Sequence, residues 1–264
     1  MCKGVSSLNY DEFTVEIKKL CDIDLSNYKE KQMKRRIDSL IKRNGHESYD
    51  SYLTQLKKKT TFKRFLGYIT INVSEFFRNP AQWQILEQEL IPELISRKNT
   101  LKIWSSACST GEEPYSLVML LDKMGLINRA SIIASDIDEE ALEQARIGIY
   151  TSKGIANVPE EMVKANFIKE NDNYVIKDKI KKAVDFKIIN LLEDPFPSNC
   201  DLILCRNVMI YFTEKAKEKL YKKFYNALSD NGIFFVGSTE QIMMPQKYGF
   251  ISRKHFFLSK DSWW

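Results

Sequence analysis

The sequence predicts an α/β protein in which a small, basic, all-helical N-terminal module precedes a mostly parallel sheet. Three observations carry that expectation. From about residue 100 onward, short apolar runs alternate with amphipathic helical segments, the texture of βαβ units. The first 79 residues contain no proline and only Gly4, Gly45 and Gly67, which favours helices broken near the glycines. Residues 1–74 carry 15 Lys+Arg against 9 Asp+Glu, a net +6, whereas the whole chain is +5 and residues 75–264 therefore −1.

In the N-terminal module, taken as residues 1–74, the clearest helix runs from about Tyr28 to Arg43. Met33, Ile37, Leu40 and Ile41 recur at spacings of three and four and form one apolar face. Gly45, just after Asn44, is placed to end the helix. Lys31, Arg35 and Lys42 fall on a second face and Lys29, Arg36 and Arg43 on a third, so two basic stripes flank the apolar one.

The remainder, 75–264, supplies the sheet. Leu101–Cys108 reads as a buried strand turning at Ser109-Thr-Gly111-Glu-Glu into a helix that Pro114 suits in its first turn. Ala130–Asp136 is a second strand with a helix over Glu139–Ala145 behind it. Val184–Leu192, Asp201–Cys205 and Gly232–Gly237 are further strands, and the helix Glu214–Leu228 lies between the last two. Two short apolar runs within Tyr248–Lys260 suggest a closing antiparallel hairpin. Residues 148–183, polar and lysine-rich, read as an insertion or small subdomain.

Composition excludes several classes. No uninterrupted apolar run exceeds five residues in this 264-residue, 30.9 kDa chain, so no membrane insertion is expected, and Met1-Cys2-Lys3-Gly4 lacks the apolar core of a signal peptide. Five scattered cysteines without CxxC spacing, and only His46 and His255, argue against a metal site and for a reducing cytoplasm.

Candidate site residues cluster at strand ends, where open α/β sheets bind ligands. The turn after the first strand has one glycine and then Glu112 and Glu113, with neither GxGxxG nor a Walker lysine. Carboxylates there disfavour a pyrophosphate and favour a cationic ligand. The pair equally suits the first turn of any helix. Asp136, ending the second strand and followed by Asp138, is placed to hold two ribose hydroxyls. A ribose plus a positive group, without phosphates, describes S-adenosylmethionine. Asn72-Val-Ser74-Glu-Phe-Phe-Arg78 could reach one ligand, with Arg78 suited to bidentate contact with a carboxylate, or could be a connector with a surface arginine. Cys205-Arg206-Asn207-Val-Met-Ile-Tyr211-Phe212 places a polar pair just past a strand end. Its Tyr211 reads equally as a core aromatic.

Asn72–Arg78, Ser109–Ser116, Ser135–Asp138, Asn190–Leu192 and Cys205–Phe212, occurring in this order, resemble the CheR-type chemoreceptor glutamate methyltransferases over about Tyr10–Lys260. The resemblance implies a class I S-adenosylmethionine-dependent methyltransferase fold carrying a small β-subdomain at about 148–183. It also implies methyl transfer from S-adenosylmethionine to glutamate side chains of chemoreceptor cytoplasmic helices, leaving S-adenosylhomocysteine and γ-methyl esters that serve chemotactic adaptation. By the same resemblance Arg78 binds the methionine carboxylate with Asn72 and Ser74 nearby, Glu113 accepts from the amino group, and Asp136 holds the ribose. Asn190 and Leu191 flank the adenine, and Arg206 and Asn207 line the cofactor site. Tyr211, near the methyl group and the incoming glutamate, and Arg78 are the catalytic candidates. Lys31, Arg35, Arg36, Lys42 and Arg43 become the receptor-binding candidates, through charge complementarity. Some members of that family grip a receptor C-terminal pentapeptide through a glycine-containing loop; the short, glycine-free 167–174 link argues against it here.

A glutamate with pKa near ~4.3 is already ionised at neutral pH, so no general base is required and no catalytic His or Cys need exist. The competing readings are an RNA methyltransferase and a non-catalytic S-adenosylmethionine sensor. Against the first, no Asn/Asp-Pro-Pro-Tyr/Phe and no Pro-Cys follows the strand at Asp201, and +5 is modest for nucleic acid. The expectation is therefore a cytoplasmic monomer that binds receptor and no nucleic acid. Trp263–Trp264 stays open as a tail or a docking element.

Overall fold

In the computed structural model, which describes residues 8–21 and 23–260, the chain divides into two units. Cys2 and Trp263–Trp264 lie outside the described residues. The first unit comprises residues up to Ile71 together with Tyr211–Glu218. It is built from α1 (Tyr10–Cys21), α2 (Glu30–Arg43), α3 (Tyr49–Leu56) and α4 (Lys59–Ile69). Phe13, Ile17, Ile37, Tyr52 and Phe65 are buried at its centre, with the Phe13 and Phe65 rings edge to face at 6.5 Å. The apolar face predicted for α2 is the buried one: Met33, Ile37, Leu40 and Ile41 all point inward. Gly45, with φ +74, takes the left-handed turn that ends α2. Residues 211–213 join this unit through backbone bonds, Lys29 N donating to Tyr211 O (2.9 Å) and Thr213 N to Asn27 O (2.8 Å).

The second unit, Asn72–Ile210 with the chain from Lys219 onward, holds the sheet. It opens with α5 (Pro80–Ile85), a π turn (Leu86–Leu90) and α6 (Ile91–Arg97), then β1 (Leu101–Ser105) and α7 (Glu112–Lys123). There follow β2 (Ala130–Asp136), α8 (Glu139–Ile147), β3 (Ile149–Thr151), α9 (Glu160–Asn166), β4 (Phe167–Glu170) and β5 (Asn173–Ile176). The chain continues through α10 (Asp178–Lys181), β6 (Val184–Ile188), β7 (Cys200–Cys205) and α11 (Glu214–Ala227), a helix that begins in the first unit. It ends with β8 (Leu228–Val236), β9 (Phe250–Lys254) and β10 (Phe257–Lys260).

Seven strands lie in the order β6-β2-β1-β7-β8-β10-β9. The pairs among β6, β2, β1, β7 and β8 are parallel, and β10 runs antiparallel to both β8 and β9, as the apolar runs of 248–260 predicted. The order reverses between β1 and β7, so their C-terminal ends flank the crevice where such sheets take ligands. Ile103, Trp104, Leu202, Ile203, Phe234 and Phe235 are fully buried, as expected of strands covered on both faces.

Two local readings are corrected. The first strand stops at Ser105 rather than running to Cys108, and α7 starts at Glu112, two residues before Pro114. Every residue of α7 from Glu112 to Leu121 is buried, so it is a helix enclosed on all sides, not an amphipathic one. The 167–174 stretch is the β4–β5 hairpin; Asn171, at φ +54, supplies the left-handed turn without a glycine. That hairpin and β3 form a separate three-stranded antiparallel sheet, β3-β5-β4, within 148–183. No helix among the described residues is long and apolar enough to cross a membrane.

Candidate active site

Asp136 ends β2 at the switch region, where the chain must turn towards α8. Its buried carboxylate accepts from Ser109 N (2.8 Å) and Asp138 N (3.0 Å), tying the β1–α7 turn to the β2–α8 turn. Asp138 caps α8 by accepting from the Glu140 and Ala141 amides. Its second oxygen accepts from Asn72 Nδ2 at 2.6 Å, and Asn72 Oδ1 in turn accepts from Ser109 Oγ at 3.3 Å. Asn72 is thus held at the corner that carries Asp136.

Ser74 bonds to the Glu112 carboxylate, which also accepts from Thr110 Oγ1 at 2.7 and 2.9 Å. Glu113 accepts from Ser105 Oγ (2.8 Å) and from Arg206 (3.2 Å). Arg206, beyond β7, also donates to Arg78 O (2.7 Å), Asn79 Oδ1 (3.2 Å) and Gln82 Oε1 (3.0 Å), and lies 4.6 Å over the Phe235 ring. Arg78 is half-buried, with its charge close enough to act on both Glu113 and Arg206. Asn207, at φ +61, begins the loop after Arg206.

Burial dominates the protonation of this cluster. It pushes the Glu112 and Asp136 carboxyls above their ordinary values, with the hydroxyl and amide donors opposing. It pushes Glu113 up and Arg206 down, while their mutual attraction pulls each back. Three buried carboxyls therefore lie in the β1–α7 and β2–α8 turns, each harder to ionise than usual, and a nearby positive ligand would favour their charged forms. Among the described residues Arg206 Nε is buried without a hydrogen-bond partner, an unsatisfied donor in the same place.

Asn190 and Leu191 follow β6, whose Ile188 pairs in register with Asp136. Asn190 N donates to Asp194 Oδ2 (2.7 Å) and Asn190 Oδ1 accepts from Leu192 N (3.0 Å), a self-closed turn. Lys223 of α11 clamps this turn from outside, donating to Leu191 O and Asp194 O at 2.8 Å each, with its ammonium 4.1 Å from the Phe196 ring centre.

Asn72, Ser74, Arg78, Glu113, Asp136, Arg206 and Asn207 thus assemble at adjacent strand ends, with Asn190–Leu191 at the next. Tyr211 instead groups with the helical unit. Gly111 is required by conformation and close packing. At φ +94, a Cβ there would meet Ala145 Cβ at 2.8 Å, so it serves the packing of α8 rather than a ligand's approach. Sequence reasoning missed Thr110, Lys223 and Glu240. Glu240 is a buried carboxylate accepting main-chain bonds from Asn207, Met209 (2.6 Å), Ile210 (3.3 Å) and Gly237 (3.1 Å).

Of the five receptor-binding candidates on α2, Lys31, Arg35 and Lys42 line one exposed groove, with Lys34 added and Glu30 and Asp38 among them. Arg36 and Arg43 differ. The Arg36 guanidinium lies 4.8 Å over the Tyr68 ring and donates to Tyr68 O, and Arg43 lies 5.8 Å from the same ring. The third face of α2 is therefore at least partly an internal contact with α4.

Residues 72–257 match the family model for the CheR methyltransferase, SAM binding domain, and residues 8–70 that for the CheR methyltransferase, all-alpha domain. The chain belongs to the CheR methyltransferase family. It is an S-adenosylmethionine-dependent methyltransferase. The chemotaxis protein methyltransferase of Listeria innocua is 39% identical over 96% of this chain and 97% of its own. That of Borreliella burgdorferi is 34% identical over 83% of each chain. That of Salmonella typhimurium is 30% identical over 90% of this chain and 86% of its own. The donor set fits the cofactor of this CheR-family enzyme. S-adenosylmethionine carries a sulfonium, an ammonium, a carboxylate and two ribose hydroxyls, and the site offers buried carboxylates, Arg78 and the open Arg206 Nε–H.

Proposed function

We propose that this CheR-family enzyme methylates glutamate side chains on the cytoplasmic helices of chemoreceptors, forming γ-glutamyl methyl esters for chemotactic adaptation, and that it acts as a cytoplasmic monomer. The observation that carries this reading is the cluster of buried carboxyls, Glu112, Glu113 and Asp136, beside Arg78 and Arg206 at the strand switch. Such a site suits a zwitterionic, cationic donor and need not supply a general base. An ionised carboxylate acceptor needs none, because its nucleophilic oxygen is ready at neutral pH.

S-adenosylmethionine, when bound, supplies an electrophilic methyl group with a good leaving group. The protein's own residues then have orientation as their main task. Asp136 holds the ribose hydroxyls, Glu113 the amino group, and Arg78 the carboxylate, with Asn72 and Ser74 bracing that corner. Asn190 and Leu191 flank the adenine, and Arg206 and Asn207 line the pocket. Tyr211 orients the acceptor, so Tyr211→Phe lowers the rate of transfer more than it weakens cofactor affinity. A changed affinity with an unchanged maximal rate contradicts that role.

Lys31, Arg35 and Lys42, joined by Lys34, dock the acidic receptor helices and steer the encounter. Arg36 and Arg43 contribute less, being engaged with Tyr68. The test is peptide mapping by mass spectrometry of a chemoreceptor cytoplasmic fragment after incubation with enzyme and S-adenosylmethionine. Methylation confined to glutamates, and absent where they are replaced by glutamine, supports the reading. Label on a structured RNA with an unmodified receptor overturns it.

A further inference from the structure

The loop that presents Arg206 and Asn207 is held from outside the motif by a single carboxylate. Glu240 lies beyond the C-terminal end of β8, only 6% exposed, and is 33 residues from Asn207 in sequence. Its Oε1 accepts from Met209 N at 2.6 Å and Ile210 N at 3.3 Å, and its Oε2 accepts from Asn207 N and from Gly237 N at 3.1 Å. Successive amides converging on one anion form a nest, here filled by the protein's own side chain. Two backbone features make room for it. Asn207 takes a left-handed conformation, φ +61, that turns its amide inwards. At Gly237 a Cβ would overlap Glu240 Oε2 and stand 2.9 Å from Asn207 N.

We propose that Glu240 is a positioning residue of the methyltransferase site, fixing the 207–210 loop so that Arg206 and Asn207 face the cofactor. This rests on reading those two residues as cofactor contacts. Bonds from backbone amides to an ion are worth more than neutral ones, and here one side chain replaces water for four donors. The alternative of a carboxylate that only fills space predicts no loss when its charge alone is removed. Glu240→Gln keeps the shape but turns one oxygen into a donor that faces amide donors. Glu240→Asp keeps the charge on a shorter stem. Gly237→Ala leaves Glu240 intact and crowds its seat.

The experiment combines amide hydrogen exchange on the ligand-free protein with calorimetric binding of S-adenosylhomocysteine. Expected for Glu240→Gln is loss of exchange protection at Asn207, Met209 and Ile210 by roughly tenfold or more, with β1 unchanged, and a cofactor dissociation constant raised about 10–100-fold. Glu240→Asp restores part of both, and Gly237→Ala reproduces the Gln variant. If Glu240→Gln does not fold, Gly237→Ala decides. Protection and affinity within about twofold of the parent protein overturn the proposal and leave the functional reading standing. Lost protection with unchanged affinity overturns it differently, by showing that the loop is held but does not serve the cofactor.

Discussion

Asp136 is the residue whose environment says most about what the site is for. It gives up water to sit at a strand end, recovers two backbone donors, and is still left with a carboxyl harder to ionise than usual. Asp136→Asn should weaken S-adenosylhomocysteine binding roughly 10–100-fold by calorimetry, the range expected when a charge-assisted bond is lost. An unchanged affinity would remove Asp136 from the site. Because burial raises the Glu112 and Asp136 carboxyls, the folded protein holds protons that the unfolded chain releases. Their protonated forms favour the fold below their folded pKa values, and that contribution is lost as pH rises through them. A cationic ligand favours the ionised forms. Binding of S-adenosylmethionine in mildly acidic buffer should therefore release protons, measurable as a dependence of the binding heat on buffer ionisation enthalpy; proton uptake would contradict the assignment. That Asp136, Glu113 and Arg206 would lie at neighbouring strand ends was legible in the sequence, because each directly follows or closely trails an apolar strand run. Glu240 and Lys223 were not. Each works through backbone groups of a distant segment, Glu240 on 207–210 and Lys223 on 191–194, and nothing in local spacing announces that.

At the scale of elements, α2 and the β1–α7 turn separate what pattern reveals from what packing decides. The apolar face of α2 follows from period alone, since a helix must bury one stripe. The basic face bearing Arg36 and Arg43 looked equivalent to the one bearing Lys31, Arg35 and Lys42, because spacing cannot show that Tyr68 of α4 covers it. The two faces should behave differently. Arg35→Glu should slow receptor methylation at low salt, leave cofactor affinity and melting temperature unchanged, and lose its effect as ionic strength passes ~0.15 M. Equal rates at low salt would deny α2 a docking role. Arg36→Ala should instead cost about 1–2 kcal/mol of stability in urea unfolding, through lost ring contact and stem packing. In the turn, Gly111→Ala should cost about 1–3 kcal/mol, from φ +94 and the clash with Ala145, and loosen the seating of α7 against α8.

For the whole molecule, the ordered motifs, the sheet order and the family match converge on one chemistry. The parallel sheet with its antiparallel end, and the helical unit before it, were readable because periodicity and glycine/proline placement are local properties. That residues 211–218 would join the helical unit was not, because the pairing of 27–29 with 211–213 spans most of the chain. The proposed function requires that a carboxylate, rather than a nitrogen or a nucleobase, receive the methyl group. The most direct measurement gives the purified enzyme methyl-labelled S-adenosylmethionine and a chemoreceptor cytoplasmic fragment, then treats the product with mild base. The expected result is label on the receptor that leaves as volatile methanol, as only an ester allows. Label that stays on the receptor in base, or an unlabelled receptor with an enzyme that binds cofactor, would contradict it.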